Sequence, residues 1–155
     1  MEAGFHKQVI LIAEDSDDDY EITVYALKRS GNLSNQILRC ENGQELLDHL
    51  EQCVTTPSEQ PGLQYPGIIL LDLNMPGIDG WTALREIKST ETLKHIPVVV
   101  LTTSDDERDI KECYELGADT YLQKPVSLPG FLDAIKRLSN YEVEIAIRQR
   151  PVTSS

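Results

Sequence analysis

Five apolar runs of strand length punctuate the chain: "VILIA" (Val9–Ala13), "QILRC" (Gln36–Cys40), "IILLD" (Ile68–Asp72), "VVVLT" (Val98–Thr102) and "TYLQK" (Thr120–Lys124). Three are continuous rather than alternating, the pattern of strands buried on both faces. Between the runs, apolar residues recur at helical spacing: Ile22, Tyr25 and Ala26 after Ser16; Leu46, Leu47 and Leu50; Leu84 and Ile87 after Trp81; Ile110 and Tyr114; Phe131, Ile135 and Leu138. Gly31 and Gly117 stand where helix C-termini favour glycine. Strand and helix alternate five times. The expectation is an α/β chain, a (βα)5 unit around a parallel five-stranded sheet.

A chain of 155 residues can bury one proper core but not a second. It reads as a single domain, 1–155, with its core over 8–138. Two segments exceed the minimal unit. The first, "CVTTPSEQPGLQYPG" over 53–67, holds three prolines and outruns the usual connection in a compact α/β domain. The second is the C-terminal extension, 139–155. There Tyr141 and Ile145 continue the helical stripe, while Tyr141, Val143, Ile145 and Ile147 alternate as a strand would; the expectation is that the last helix runs on to about Ile147. Its branched apolar residues exceed what a lone peripheral element needs, which motivates a homodimer through the last two helices and last strand. Folding back over the proline-rich loop is the competing use.

Charge narrows the function. The chain carries 14 Lys plus Arg against 26 Asp plus Glu, a net charge of −12, so nucleic acid would be repelled over most of the surface. Cys40, Cys53 and Cys113 form no C-x-x-C pair and read as buried thiols. No apolar stretch approaches the ~20 residues of a membrane span, and "MEAGFHKQ" lacks a signal peptide's apolar core, so no membrane partner and a cytoplasmic location are expected.

In a parallel sheet the strands' carboxyl ends line one edge, and ligands of open α/β sheets bind there. Those ends carry Glu14 and Asp15 after the first strand, Asp72 at the end of the third, Thr102 and Thr103 at the fourth, and Lys124 before Pro125 at the fifth. Asp72 closes a buried apolar run, where a carboxylate is costly unless paired, hydrogen-bonded or metal-bound. Three acids at one edge call for a hard divalent cation, Mg²⁺ being common near phosphate. With Mg²⁺, the Lys124 ammonium and the Thr102 hydroxyl on phosphoryl oxygens, Asp72 would be left as a carboxylate nucleophile. Asp17, Asp18 and Asp19 include acids that simply complement a helix dipole.

The fragments "EDS", "LLDLNMPGIDGW", "PVVVLTTS" and "GADTYLQKP" resemble the receiver domain of two-component response regulators, over about residues 8 to 138. The resemblance implies a flavodoxin-like strand order 2-1-3-4-5 and phosphorylation of Asp72 by a sensor histidine kinase. It further implies Mg²⁺ held by Glu14, Asp15, Asp72 and the Asn74 carbonyl, phosphoryl binding by Thr102 and Lys124, and a cis Lys124–Pro125 peptide. Tyr121 looks like the aromatic switch that responds to Thr102. The long loop and the extension are similar to those of the small stand-alone regulators that partner cyanobacterial phytochromes, which implies a downstream protein partner and no enzymatic activity beyond self-phosphorylation and self-dephosphorylation. Thr103 departs from the Ala, Gly or Ser more common there.

Other classes fit less well. An aspartate-nucleophile phosphohydrolase of the haloacid dehalogenase type needs a second acid where Asn74 stands. A flavin or dinucleotide carrier needs a phosphate-cradling loop where "EDSDDDY" repels anions. A phosphorylation-independent scaffold of the same fold would be expected to lack a site residue, and none is missing.

Overall fold

A computed structural model describes residues 8–55, 65–73, 75, 80–103, 106–138, 143, 145 and 147. Five strands, β1 (Ile10–Ala13), β2 (Ile37–Cys40), β3 (Ile68–Asp72), β4 (Val98–Thr102) and β5 (Thr120–Gln123), form one parallel sheet in the order β2-β1-β3-β4-β5. The doubly wound order expected from the sequence is present. The central strands β1, β3 and β4 are buried at every position, whereas the edge strands β2 and β5 are buried only in part. That difference explains why only the central three read as continuous apolar runs.

Helices cover both faces. Leu11, Ile69, Leu71, Val98 and Val100 pack with Leu46 and Leu50 of α2 (Gly43–Thr55), Ala83, Leu84 and Ile87 of α3 (Gly80–Ser89) and Cys113 of α4 (Glu107–Glu115). The alternate residues Ile10, Ile12, Ile68, Leu70, Val99 and Leu101 pack with Phe131 and Ala134 of α5 (Leu128–Lys136). They also meet Leu27, which lies in a π-helical turn (Tyr25–Ser30) that continues α1 (Asp17–Val24). The helices begin where side chains satisfy their first N–H groups: Ser16, Asp106 and Ser127 accept from Asp19, Arg108 and Gly130.

Both expected glycines stand at helix ends: Gly117 has a left-handed backbone, φ +108°, while Gly31 caps Tyr25–Ser30 in the right-handed region and the positive φ falls on Asn32, at 56°. At Gly31 glycine is needed for space, because a Cβ would lie 2.8 Å from the Ala26 and Leu27 carbonyl oxygens. Next, α2 continues through Thr55, so the proline-rich loop loses its first three residues to a helix; 56–64 lie outside the described residues.

The C-terminal extension also departs from the expectation. α5 ends at Lys136 and does not run to Ile147, which instead forms an antiparallel bridge with Leu33. β-branched residues at period two favour extended chain over helix. Val143 and Ile145 pack, half-buried, against the α1–α5 side of the core. Part of the apolar surface that motivated a homodimer is therefore covered by the chain itself, beside Leu33. Tyr141 lies outside the described residues.

The cysteines behave as expected: none is in a disulfide, all three are buried, and burial pushes the Cys40 thiol up to about 12. Among the described residues no helix is long and apolar enough to cross a membrane.

Candidate functional site

Strand pairing brings the polar ends together. The Glu14 N–H extends the β1–β2 ladder by donating to the Cys40 carbonyl at 2.9 Å, and the Lys124 N–H extends the β4–β5 ladder by donating to Thr102 at 2.9 Å. Glu14 follows Ile12 by two residues and Asp72 follows Leu70 by two. Side-chain alternation thus sends both toward the α1 side of the sheet. Ser16 caps α1 there, with its hydroxyl 3.1 Å from the Asp19 N–H, and Asp19 faces the same edge.

Lys124 is the hub. Its Nζ lies 2.7 Å from Glu14 Oε1, 3.0 Å from Asp19 Oδ2 and 3.2 Å from Asp72 Oδ2. Burial works against the ammonium, but the hydrogen bonds to Glu14 and Asp19 and the charge of Asp72 outweigh it, so the Lys124 pKa stands above its ordinary value. Glu14 is 1% exposed, and burial, reinforced by its hydrogen bond to Asp72, raises its pKa to about 7 despite Lys124. Carboxyl oxygens of Glu14, Asp15 and Asp72 all lie within 4.8 Å of one another. Asp15 is exposed and Asp72 buried, so the cluster opens to solvent on one side.

The other expected residues fall around this cluster. Thr102 ends β4, adjacent to β3, and is buried, while Thr103 is exposed. Thr103, Asp19, Ile22 and Thr23 with Lys124 and Pro125 line a cavity of about 200 Å³ beside the acids. The Lys124–Pro125 peptide is cis. Tyr121 is half-buried between α4 and α5: its ring meets Tyr114 edge-on, centroids 6.4 Å apart, and the Arg137 guanidinium lies 5.2 Å from its centroid. Asn74 lies outside the described residues.

The glycine that closes the stretch after Asp72 has a steric reason. A Cβ on Gly80 would lie 2.3 Å from the Asp72 carbonyl oxygen and the Leu73 Cα, so the start of α3 sits directly on the end of β3.

Two participants were not singled out from the sequence. Asp19 read as a helix-dipole acid, yet it pairs with Lys124. Arg39 drew no notice inside β2, yet it reaches the turn after β1, pairing with Asp17 at 2.8 Å. The signal for Asp19 was its position three residues after the Ser16 cap, which turns it back over the strand ends.

Residues 10–136 match the family model for the response regulator receiver domain. The chain is 36% identical over 137 residues to the response regulator Rcp1 of Synechocystis sp., covering 88% of this chain and 90% of that one. Among solved structures it is similar to the bacteriophytochrome response regulator AtBRR, with TM-score 0.76, 36% identity and coverage of 89% and 96%. It also resembles Rcp1 in its Mn²⁺-bound form (TM-score 0.63, 36% identity, 86% and 90% covered) and the phosphorylated cyanobacterial phytochrome response regulator RcpA (TM-score 0.64, 34% identity, 86% and 91% covered). The chain belongs to the response regulator receiver domain family.

Proposed function

We propose that this chain is a phosphoacceptor in two-component signalling, with Asp72 as the residue that takes the phosphoryl group. One observation carries the reading: Lys124 bridges Glu14, Asp19 and Asp72 at the mouth of a buried acidic cluster. Among the described residues one ammonium faces four carboxyls, counting Asp15, an excess of negative charge that suits a divalent cation. The donor set is all hard oxygen, and Glu14 Oε1 is buried with the Lys124 ammonium against it at 2.7 Å. We assign Glu14, Asp15 and Asp72, with the Asn74 carbonyl, as ligands for Mg²⁺, which when bound would offset charge on the phosphoryl oxygens.

In the reaction, an Asp72 carboxylate oxygen attacks the phosphorus of a phosphohistidine, the P–N bond breaks, and the imidazole leaves with the electron pair. An acyl phosphate on Asp72 results. Lys124 exchanges its contact with Asp72 for one with a phosphoryl oxygen, and the Thr102 hydroxyl donates to another. Tyr121 then serves as the switch that reports Thr102's movement, and a downstream protein reads the altered face. On this reading the chain is not an enzyme in its own right and acts in the cytoplasm.

The likeness to the bacteriophytochrome response regulator AtBRR and to the cyanobacterial phytochrome response regulator RcpA supports a phytochrome-type histidine kinase as donor. A homodimer is the separable part of the reading: truncation after Leu138 should convert a dimer to monomer by light scattering, and a monomeric full-length chain at tens of micromolar would remove it. The phosphoacceptor role is tested by intact-mass spectrometry after incubation with phosphoramidate and Mg²⁺. Wild type should gain one phosphoryl group and Asp72→Asn none; equal gain by the variant would end the assignment.

A further inference from the structure

We infer that Arg39 is a positioning residue for the cation site: it braces the turn between β1 and α1 that presents Glu14 and Asp15. The inference rests on the metal reading above. Arg39 lies in the edge strand β2, opposite Ile12 in register, on the face that looks toward α1. Its side chain is only 19% exposed and holds the turn in three chemically distinct ways. Nε donates to the backbone carbonyl of Glu14 at 3.1 Å. Nη1 pairs with Asp17 Oδ1 at 2.8 Å. The guanidinium plane sits over Tyr20, 4.7 Å from the ring centroid. All three partners lie within Glu14–Tyr20, the segment that also carries Asp15, Asp18 and Asp19.

These contacts fix both ends of a turn whose five acids repel one another. Lys124, just past the opposite edge strand β5, holds the same turn through Glu14 and Asp19. Binding of a cation engages Glu14 and Asp72, two of the three carboxyl groups that Lys124 contacts, so the turn then leans more on Arg39, whose contacts are to the Glu14 carbonyl, Asp17 and Tyr20. A planar fork that donates in two directions and stacks on an aromatic ring is work that an ammonium cannot reproduce. Supporting residues of this kind, outside the ligand set, commonly change metal affinity by about tenfold or more when replaced.

Charge alone predicts the opposite sign. If Arg39 were only a nearby positive charge, removing it would make the site more negative and tighten cation binding. If it is a brace, removing it loosens the ligands and weakens binding. The experiment measures Mn²⁺ affinity from the electron paramagnetic resonance signal of the free ion, at fixed ionic strength. Wild type, Arg39→Met, Arg39→Lys and Asp15→Asn are compared, with apo melting temperatures recorded alongside. Arg39→Met should bind Mn²⁺ about tenfold more weakly, and Arg39→Lys should fail to restore wild-type affinity. Unchanged or tighter binding by Arg39→Met overturns the proposal, including when its apo melting temperature falls, since a purely structural role moves only the latter. Should Arg39→Met not fold, Arg39→Lys decides by the same criterion. A wild type that does not bind Mn²⁺, or an Asp15→Asn variant that binds as tightly as wild type, overturns the metal reading and the brace with it.

Discussion

Two largely shielded lysine–aspartate contacts sit at opposite ends of the sheet, and they differ in their balance of charge. At the amino end of β4, Lys88 pairs with Asp119 at 2.8 Å; its ammonium also donates to the Ile96 and Lys94 carbonyls at 2.8 and 3.2 Å. Asp119 in turn accepts from the Val98 N–H at 2.7 Å. Among the described residues this ion pair joins one cation to one anion, and each also meets backbone. At the carboxyl end, Lys124 faces Glu14, Asp19 and Asp72 together. The first arrangement is balanced and fastens α3 and the loop before β5 to the sheet. The second is left short of positive charge, a state that costs stability and is kept where chemistry uses it.

The largest effect should come from unbalancing the balanced end. Lys88→Met strands Asp119 in a site where it is mostly shielded, and should destabilise by about 3 kcal/mol in urea unfolding, with no loss of phosphoryl acceptance. A variant as stable as wild type would mean that this pair fastens nothing. Next is Gly80→Ala. Its Cβ must push back the Asp72 and Leu73 backbone, so about 2 kcal/mol of stability should go and Asp72 should accept phosphate more slowly; a neutral outcome would show that the contact relaxes freely.

At the acidic end, removing charge should help. Asp72→Asn takes away a like charge beside Glu14 and should raise apo stability by about 1 kcal/mol, measured without metal, while lowering the Glu14 pKa. The opposing signs of Lys88→Met and Asp72→Asn are the sharpest form of the comparison. Two variants that both destabilise would erase it.

Much of the fold was legible because buried parallel strands write themselves as unbroken apolar runs: Ile68–Asp72 and Val98–Thr102 have the bounds read from sequence. β1, β2 and β5 are each one residue shorter than read, losing Val9, Gln36 and Lys124 at their ends. The extension misled because Phe131, Ile135 and Leu138 set a helical rhythm that Ile145 continues by coincidence, while Val143, Ile145 and Ile147 follow the period of extended chain. At the site, residues at strand ends could be read from topology alone. Asp19 and Arg39 could not, since their roles depend on how α1 starts and on which face of β2 a side chain leaves.

Stability against pH, with and without Mg²⁺, tests the charge excess most directly. Glu14 binds its proton more tightly in the folded chain, about 7 against an ordinary 4.5. Its contribution is therefore fully present below pH 4.5 and is lost as pH rises through about 7, on the order of 3 kcal/mol for an isolated group. Urea unfolding of the metal-free protein should show stability falling across that window. Millimolar Mg²⁺ should restore it at pH 7.5 by binding the native state, and do little at pH 4.5, where protons hold the carboxyls. A metal-free profile flat between pH 4.5 and 7.5, together with indifference to Mg²⁺ at the upper end, would contradict the claim that these acids await a cation.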